Sequence, residues 1–466
     1  MTDDDHRPDG KVTAGYTYLG QFIDHDLTFD VTPLARAHQC AESVVNHRSP
    51  RLDLDQLYGG GPTVSPFLYH NNPRDRGKER FLIGPDAKNR LEYDLPRNRE
   101  GIALVGDPRN DENLIIAQLH VAFLKFHNCV MNELAKGARS SIPNAGPAGA
   151  TLFEQTRRLV TWHYQYLVIK DFLFELLDPD VYNGLELDGP PPVRSNSTSF
   201  RIPIEFSAAA YRFGHSMVRN TYPINKDHLN VPLSDLLNYT GTGGGAAPIL
   251  PPEWKIEWDR LFIIDKPFPR LSRAIDTKIA NGLHSLGPQT VKVFNAPAAA
   301  KPPPSKSGEI PPEYVLPVRT LWRSARMGLP SGQDVARALG LVPLNSYDIA
   351  PDNGPHTETL RCYVFDKDTP LWYYVLKEAE LPEVAKGRHL GPVGSRIVAN
   401  VIMAALRTDP SSYLTVDPSW QPALPTKGED QIAKILRFID ASTAAPQALG
   451  AELNTDRNNT SFESGS

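Results

Sequence analysis

A mainly helical fold is what this chain predicts: a single large helical domain with long irregular loops and little β-structure. Three observations carry that expectation. Apolar residues recur at helical spacing in three long runs, strand patterning is scarce, and 43 prolines break the intervening chain into punctuated coil. The first run, Asn113 to Leu134, sets Ile116, Leu119, Phe123, Phe126 and Val130 three and four apart, which is one buried stripe. The second, Thr156 to Leu177, is more apolar and reads as a central helix covered on most sides. A third should begin just after Gly394, with Ile397, Val398, Val401, Ile402, Ala405 and Leu406 as its apolar face. Between them lie irregular pieces at 241–252 and a Pro/Lys/Ser stretch at 296–312 that should be an exposed loop. No internal repeat divides the chain, so residues 1–15 are a polar N-terminal arm, 16–442 the domain and 443–466 a polar tail, disordered from 456 on.

The charge balance narrows the partners. Lys plus Arg total 49 against 54 Asp plus Glu, a net charge of -5, with no basic run, so neither a nucleic acid nor an anionic membrane is expected and a small molecule is. Only Cys40, Cys129 and Cys362 occur, too few for a disulfide framework and without metal-ligand spacing; Cys129 falls in an apolar run and reads as core. The first six residues are acidic and polar and no stretch approaches 18 apolar residues, so neither a classical signal peptide nor a transmembrane segment is expected. The cytoplasm is then the default location, with export by another route left open.

The densest chemistry lies in Tyr18-Leu19-Gly20-Gln21-Phe22-Ile23-Asp24-His25-Asp26-Leu27-Thr28. Gln21 and His25 stand four apart and share one helical face, while Asp24 and Asp26 flank the histidine and point elsewhere. One face can do acid/base work and the other can hold a cation. Alone, such a string is more often a helix end with solvated acids; two later segments change the weighting. Gly106-Asp107-Pro108-Arg109-Asn110-Asp111-Glu112-Asn113 brings an arginine and a glutamate to the start of the first apolar run, and Ala210-Tyr211-Arg212-Phe213-Gly214-His215-Ser216 places a histidine after a glycine that lets a flat ligand approach.

Together with Leu371-Trp372-Tyr373-Tyr374-Val375-Leu376-Lys377-Glu378 and Leu390-Gly391-Pro392-Val393-Gly394, these segments resemble the animal-type haem peroxidases of the peroxidase-cyclooxygenase superfamily, and more closely its bacterial members. The resemblance runs from about Tyr16 to about Leu414. It implies a haem peroxidase that reduces hydrogen peroxide and oxidises phenols, halides or thiocyanate through a ferryl intermediate, with calcium and haem b or an ester-linked haem as cofactors. His215 would be the proximal iron ligand, His25 the acid/base group, Arg109 the stabiliser of charge on the leaving oxygen, and Gln21 the holder of water or halide. Asp24 and Glu112 match the carboxylates that form haem esters, and Asn113 stands where some mammalian members carry a methionine making a third link. Arg212 and Arg323 match propionate-binding positions. Thr320 replaces an asparagine that accepts a hydrogen bond from the proximal imidazole. Asp26, Ser49, Arg51, Asp53 and Asp55 match the family's calcium loop, whose alternating oxygen donors can curl round one hard cation. His120, His127 and His163 match no ligand position.

Two other functions compete. A fatty-acid dioxygenase of the same superfamily needs a radical tyrosine three residues before the proximal histidine; Arg212 stands there, and Tyr211 falls on a different helical face. A calcium-bound, non-enzymatic scaffold would need none of Gln21, His25, Arg109, Glu112 and His215, and would lack a Soret band.

Overall fold

The computed structural model describes residues 7–30, 45–70, 78–84, 93–143, 146–185, 200–239, 250–265, 269–284, 286, 314–428 and 430–452. The stretches 296–312 and 456–466, Cys40, and 241–249 of the glycine-rich piece lie outside the described residues. We number the long helices α1 (Gly15–Leu27), α2 (Leu114–Leu134), α3 (Leu152–Leu167), α4 (Leu316–Arg326), α5 (Leu371–Glu380), α6 (Pro392–Thr408) and α7 (Gln431–Glu452). Among the described residues the named strands are four short ones: β1 (Asp9–Thr13) pairs antiparallel with β4 (Leu271–Arg273), and β2 (Thr221–Tyr222) with β3 (Val231–Pro232). The mainly helical expectation holds.

Helix α2 is the hub and packs against α1, α3 and α7. Asn113 starts it, its side chain accepting the N–H of Ile116 at 2.9 Å. The expected stripe from Ile116 to Val130 is buried, but so is most of the opposite face, Cys129 included. This helix is long and apolar enough to cross a bilayer, with a mean hydropathy of 1.4 that the sequence reading underrated; 89% of that window is buried within the fold. Phe22 of α1 stacks on Phe123 of α2 at 4.8 Å and meets Tyr164 of α3 edge-on at 6.1 Å, which locks the rotation of α1 about its axis. That rotation decides where His25 points, one turn further along.

Helix α3 starts with a reciprocal cap between Thr151 and Glu154 and runs into a wide π turn, Val168–Leu173. Helix α6 begins at Pro392, three residues before the expected start, because proline is pre-shaped for a first turn and Glu378 of α5 accepts the N–H of Val393 at 3.0 Å and of Gly394 at 3.3 Å. The first described residues are also tied down. Arg7 is buried, donating to Asp276, Ser216 O and Ala274 O, and the arm drawn at 1–15 contains β1. The boundary drawn at 442 falls inside α7, which continues to Glu452.

Asp171 on the π turn accepts the N–H of Ile432 at 3.0 Å, anchoring the start of α7. Burial pushes its carboxyl up from 3.8 to about 7. The unfolded chain therefore sheds this proton near pH 4 and the folded one only near 7, so stability falls as pH rises through that window. Asp171→Asn should cut the loss between pH 4 and pH 8 by about 2–4 kcal/mol relative to wild type. Urea unfolding at the two pH values checks this; parallel losses in both proteins would remove Asp171 from the account.

Candidate functional site

One cavity of about 730 Å³ collects side chains from α1, the start of α2, the 3₁₀ turn Ala210–His215 and α4. Gln21, Asp24, His25, Arg109 and Glu112 line it, and so do Arg212, Gly214, His215, Thr320 and Arg323. Residues spread over 300 positions of sequence thus meet in one chamber, as the motifs had suggested.

The protonation of His25 can be read from an anchored chain of amides. Gln56 Nε2 donates to the carbonyl of Phe22 at 2.8 Å, which a carbonyl oxygen alone cannot reverse, so Gln56 Oε1 must face Asn110. Asn110 Nδ2 donates to that oxygen and to His120 Nδ1, both at 2.9 Å, leaving Asn110 Oδ1 to accept from His25 Nδ1 at 2.8 Å. The proton of neutral His25 therefore sits on Nδ1 and the lone pair on Nε2. Burial, then the neighbouring Arg109, lowers its pKa to about 3, so the ring is neutral. Asn110, Gln56 and His120 were not singled out in the sequence; the last two lie on no shared motif with His25.

Arg109 is fixed from several sides. It donates to Asp107 at 2.8 Å, to the carbonyl of His25 at 3.2 Å and to that of Thr28, and its guanidinium lies 4.6 Å over the ring of Phe29. Asp107 also caps the turn that carries it, accepting the Arg109 N–H at 2.8 Å. Burial favours the neutral acid at Asp107, but Arg109 beside it, with His25 and Arg48, outweighs this and holds the carboxyl well below its ordinary range.

Glu112 is buried, 3.8 Å from His25 Nε2, and burial raises its carboxyl to about 8, against the opposing pull of Arg109. Its Oε1 accepts from Gln21 Nε2, and its Oε2 has no hydrogen-bond partner among the described residues. Asp24 accepts from Thr28 Oγ1 at 2.9 Å and lies 3.9 Å from Arg109 Nη1; burial raises its pKa.

His215 ends its 3₁₀ turn against the edge of Trp372, ring centroids 6.1 Å apart, and Trp372 Nε1 donates to the carbonyl of Arg212 at 3.1 Å. The Leu371–Glu378 motif thus has a visible task, since α5 braces the segment that carries His215. A Cβ at Gly214 would meet nothing within 4 Å, so the chain there is open to the cavity. Thr320 lines the cavity beside His215. Its hydroxyl donates to the carbonyl of Leu316 at 3.1 Å, one turn back on α4, as hydroxyls inside helices do, and His215 Nδ1 has no hydrogen-bond partner among the described residues.

Arg212 and Arg323 are joined by Arg319, which the sequence reading passed over although it sits one turn before Arg323 on α4. Burial and then mutual repulsion lower Arg212 and Arg319 to about 10, while Arg323 donates to Asp30 at 2.5 Å. The local charge favours an anionic group.

Beside the cavity, carboxylate oxygens of Asp26, Asp53 and Asp55 lie within 4.8 Å of one another. Asp26 is fully buried, its Oδ1 has no hydrogen-bond partner among the described residues, and burial, then Asp53 and Asp55, raises its pKa strongly. Ser49 donates its hydroxyl to Asp53 at 2.9 Å and its N–H to Asp55 at 3.3 Å, closing the loop. The Arg51 side chain points away, 3.9 Å from Asp409. Three acidic groups round an orphaned buried oxygen are a donor set that fits a hard dication. Arg48 links this loop to the cavity, donating to Asp55 at 3.2 Å and to Asp107.

Residues 31–242 match the family model described as animal haem peroxidase. A "Peroxidase-like protein" of Margaritifera margaritifera is 33% identical over 261 residues, 45% of this chain and 32% of that protein. Over these residues the chain is similar to the animal haem peroxidases. It therefore spans about a third of the length of that curated relative. Two solved structures share its fold. Peroxidase A of Dictyostelium discoideum has a TM-score of 0.59 at 17% identity, covering 94% of this chain and 88% of its own, and the fatty acid alpha-dioxygenase of Oryza sativa has 0.60 at 13%, covering 95% and 75%. The haem that the matched family model names would fit the chamber: Gly214 leaves room for a flat ring, His215 offers an imidazole, and the arginines of α4 and the 3₁₀ turn suit carboxylates.

Proposed function

We propose that this chain is a haem peroxidase that reduces hydrogen peroxide and oxidises small donors such as phenols, halides or thiocyanate. The observation that supports it most is His25: buried, neutral, with a bare Nε2 beside a fixed guanidinium in a cavity shared with His215. Haem, when bound, supplies the iron that takes up the peroxide and holds the oxidising equivalents. His215 is its ligand. Arg212, Arg319 and Arg323 hold its carboxylates, and Asp24 and Glu112 are the two carboxyl groups available for ester links. His25 Nε2 takes the proton from one peroxide oxygen and returns it to the other, which departs as water. Arg109 stabilises the negative charge that builds on the departing oxygen, at no cost of reorganisation because its partners already hold it. Asp26, Asp53 and Asp55, with oxygens of Ser49 and Arg51, hold calcium. Titrating the purified chain with haem tests this: a Soret band that needs His215 and shifts on adding peroxide is expected, and a chain that takes up no haem sinks the reading.

A second reading is fatty-acid oxygenation. Tyr211 lines the cavity, stacks on Phe206 at 4.6 Å, and its hydroxyl has no hydrogen-bond partner among the described residues. The argument from helical faces does not keep it away, because the segment is a 3₁₀ turn. Tyr211→Phe should leave peroxide reduction within about threefold of wild type, since it removes no proton carrier. Fatty-acid-dependent oxygen uptake that vanishes in this variant would favour the second reading.

A further inference from the structure

Asn113 is used at both ends. Its Oδ1 accepts the Ile116 N–H at 2.9 Å, and its Nδ2 donates to Gln21 Oε1 at 3.2 Å. A backbone N–H can only be met by oxygen, so the helix start fixes which way round the Asn113 amide lies. That in turn fixes Gln21, whose Oε1 must face Asn113 and whose Nε2 must face Glu112 Oε1. Gln21 lines the cavity, and its Nε2 carries two hydrogens of which Glu112 takes one.

From this geometry we infer that Asn113 is a positioning residue that turns the donor side of the Gln21 amide toward the cavity and so makes the site receptive to a halide ion. The inference rests on the peroxidase reading for its purpose, not for its geometry. With the amide reversed, Gln21 would offer the cavity an oxygen lone pair, which repels an anion. Nothing else among the described hydrogen bonds of Gln21 distinguishes its two orientations: Glu112 accepts a hydrogen bond when ionised and can donate one when protonated. Asn113 breaks that degeneracy.

Two substitutions separate this role from the helix cap. Asn113→Ser and Asn113→Asp both keep an N-cap of similar quality but remove the amide donor, and only the second adds charge. In the haem-loaded full chain, bromide affinity followed by the Soret band should weaken about tenfold or more in both variants, the size of losing one hydrogen bond to a charged ligand. In the haem-free chain labelled with 15N-glutamine, the Gln21 side-chain amide, assigned through Gln21→Glu, should lose its exchange protection in both variants. An unchanged Gln21 signal in Asn113→Ser, or bromide weakening confined to Asn113→Asp, overturns the inference. A wild-type chain that takes up no haem removes the peroxidase reading instead, and the amide signal still decides what Asn113 does.

Discussion

His25→Ala should slow the reaction of the haem-loaded chain with hydrogen peroxide by about 10² to 10⁴-fold, the range for removing a positioned acid/base group. Stopped-flow measurement of the Soret change reads this directly. Asn110→Ala should fall between the variant and wild type, about 10 to 100-fold down, because the imidazole stays but the partner that pins its tautomer is gone. The order of the two is the informative part. If His25 only filled space, Asn110→Ala would change nothing beyond stability, and a rate within threefold of wild type for His25→Ala would end the acid/base assignment. Arg109 is a weaker place to start. It also donates to the carbonyls of His25 and Thr28, so its loss would disturb the end of α1 as well as the charge it is proposed to stabilise.

What the sequence made legible follows the range of the physics involved. The helices of the hub could be read because their periodicity is local, and His25, Arg109 and His215 stood out as candidates for one cavity because each sits in a dense motif. The partners that set their chemistry could not. Asn110 lies inside a motif but its use depends on Gln56, which owes its own orientation to the Phe22 carbonyl on another helix. Arg319 looks like any arginine on an amphipathic helix until the fold brings it to Arg212. What Thr320 does in place of an asparagine could not be read either, because a hydroxyl inside a helix has an acceptor one turn back that an asparagine side chain would not use in the same way. Helix starts slipped by a turn or less where caps came from distant chain, as Glu378 does for α6. Residues 1–15 read as a polar arm, and nothing in their composition announces that Arg7 will be buried against Asp276.

Calcium should raise the melting temperature of the haem-free chain by several degrees, and Asp26→Asn should abolish that response while leaving the calcium-free protein more stable than wild type. Both signs come from one cause. Asp26, Asp53 and Asp55 hold carboxylate oxygens within 4.8 Å of one another, and without a cation burial and then its neighbours disfavour the ionised Asp26; an amide there avoids that cost, whereas a dication uses the charge. At a thousandfold excess over its dissociation constant, calcium would contribute about 4 kcal/mol to the folded state. Thermal melts in EDTA and in millimolar calcium check the crossing, and a wild-type melt that ignores calcium would reduce the loop to a cluster of acids. The cation should matter to the chemistry too, through two connections. Asp26 is the next residue after His25 on α1, and Arg48 spans from Asp55 to Asp107, the carboxylate that fixes Arg109. A loop that loses its ion and splays would therefore loosen the imidazole and the guanidinium together, so Asp26→Asn should lower the peroxide rate although it touches neither group's reacting atoms.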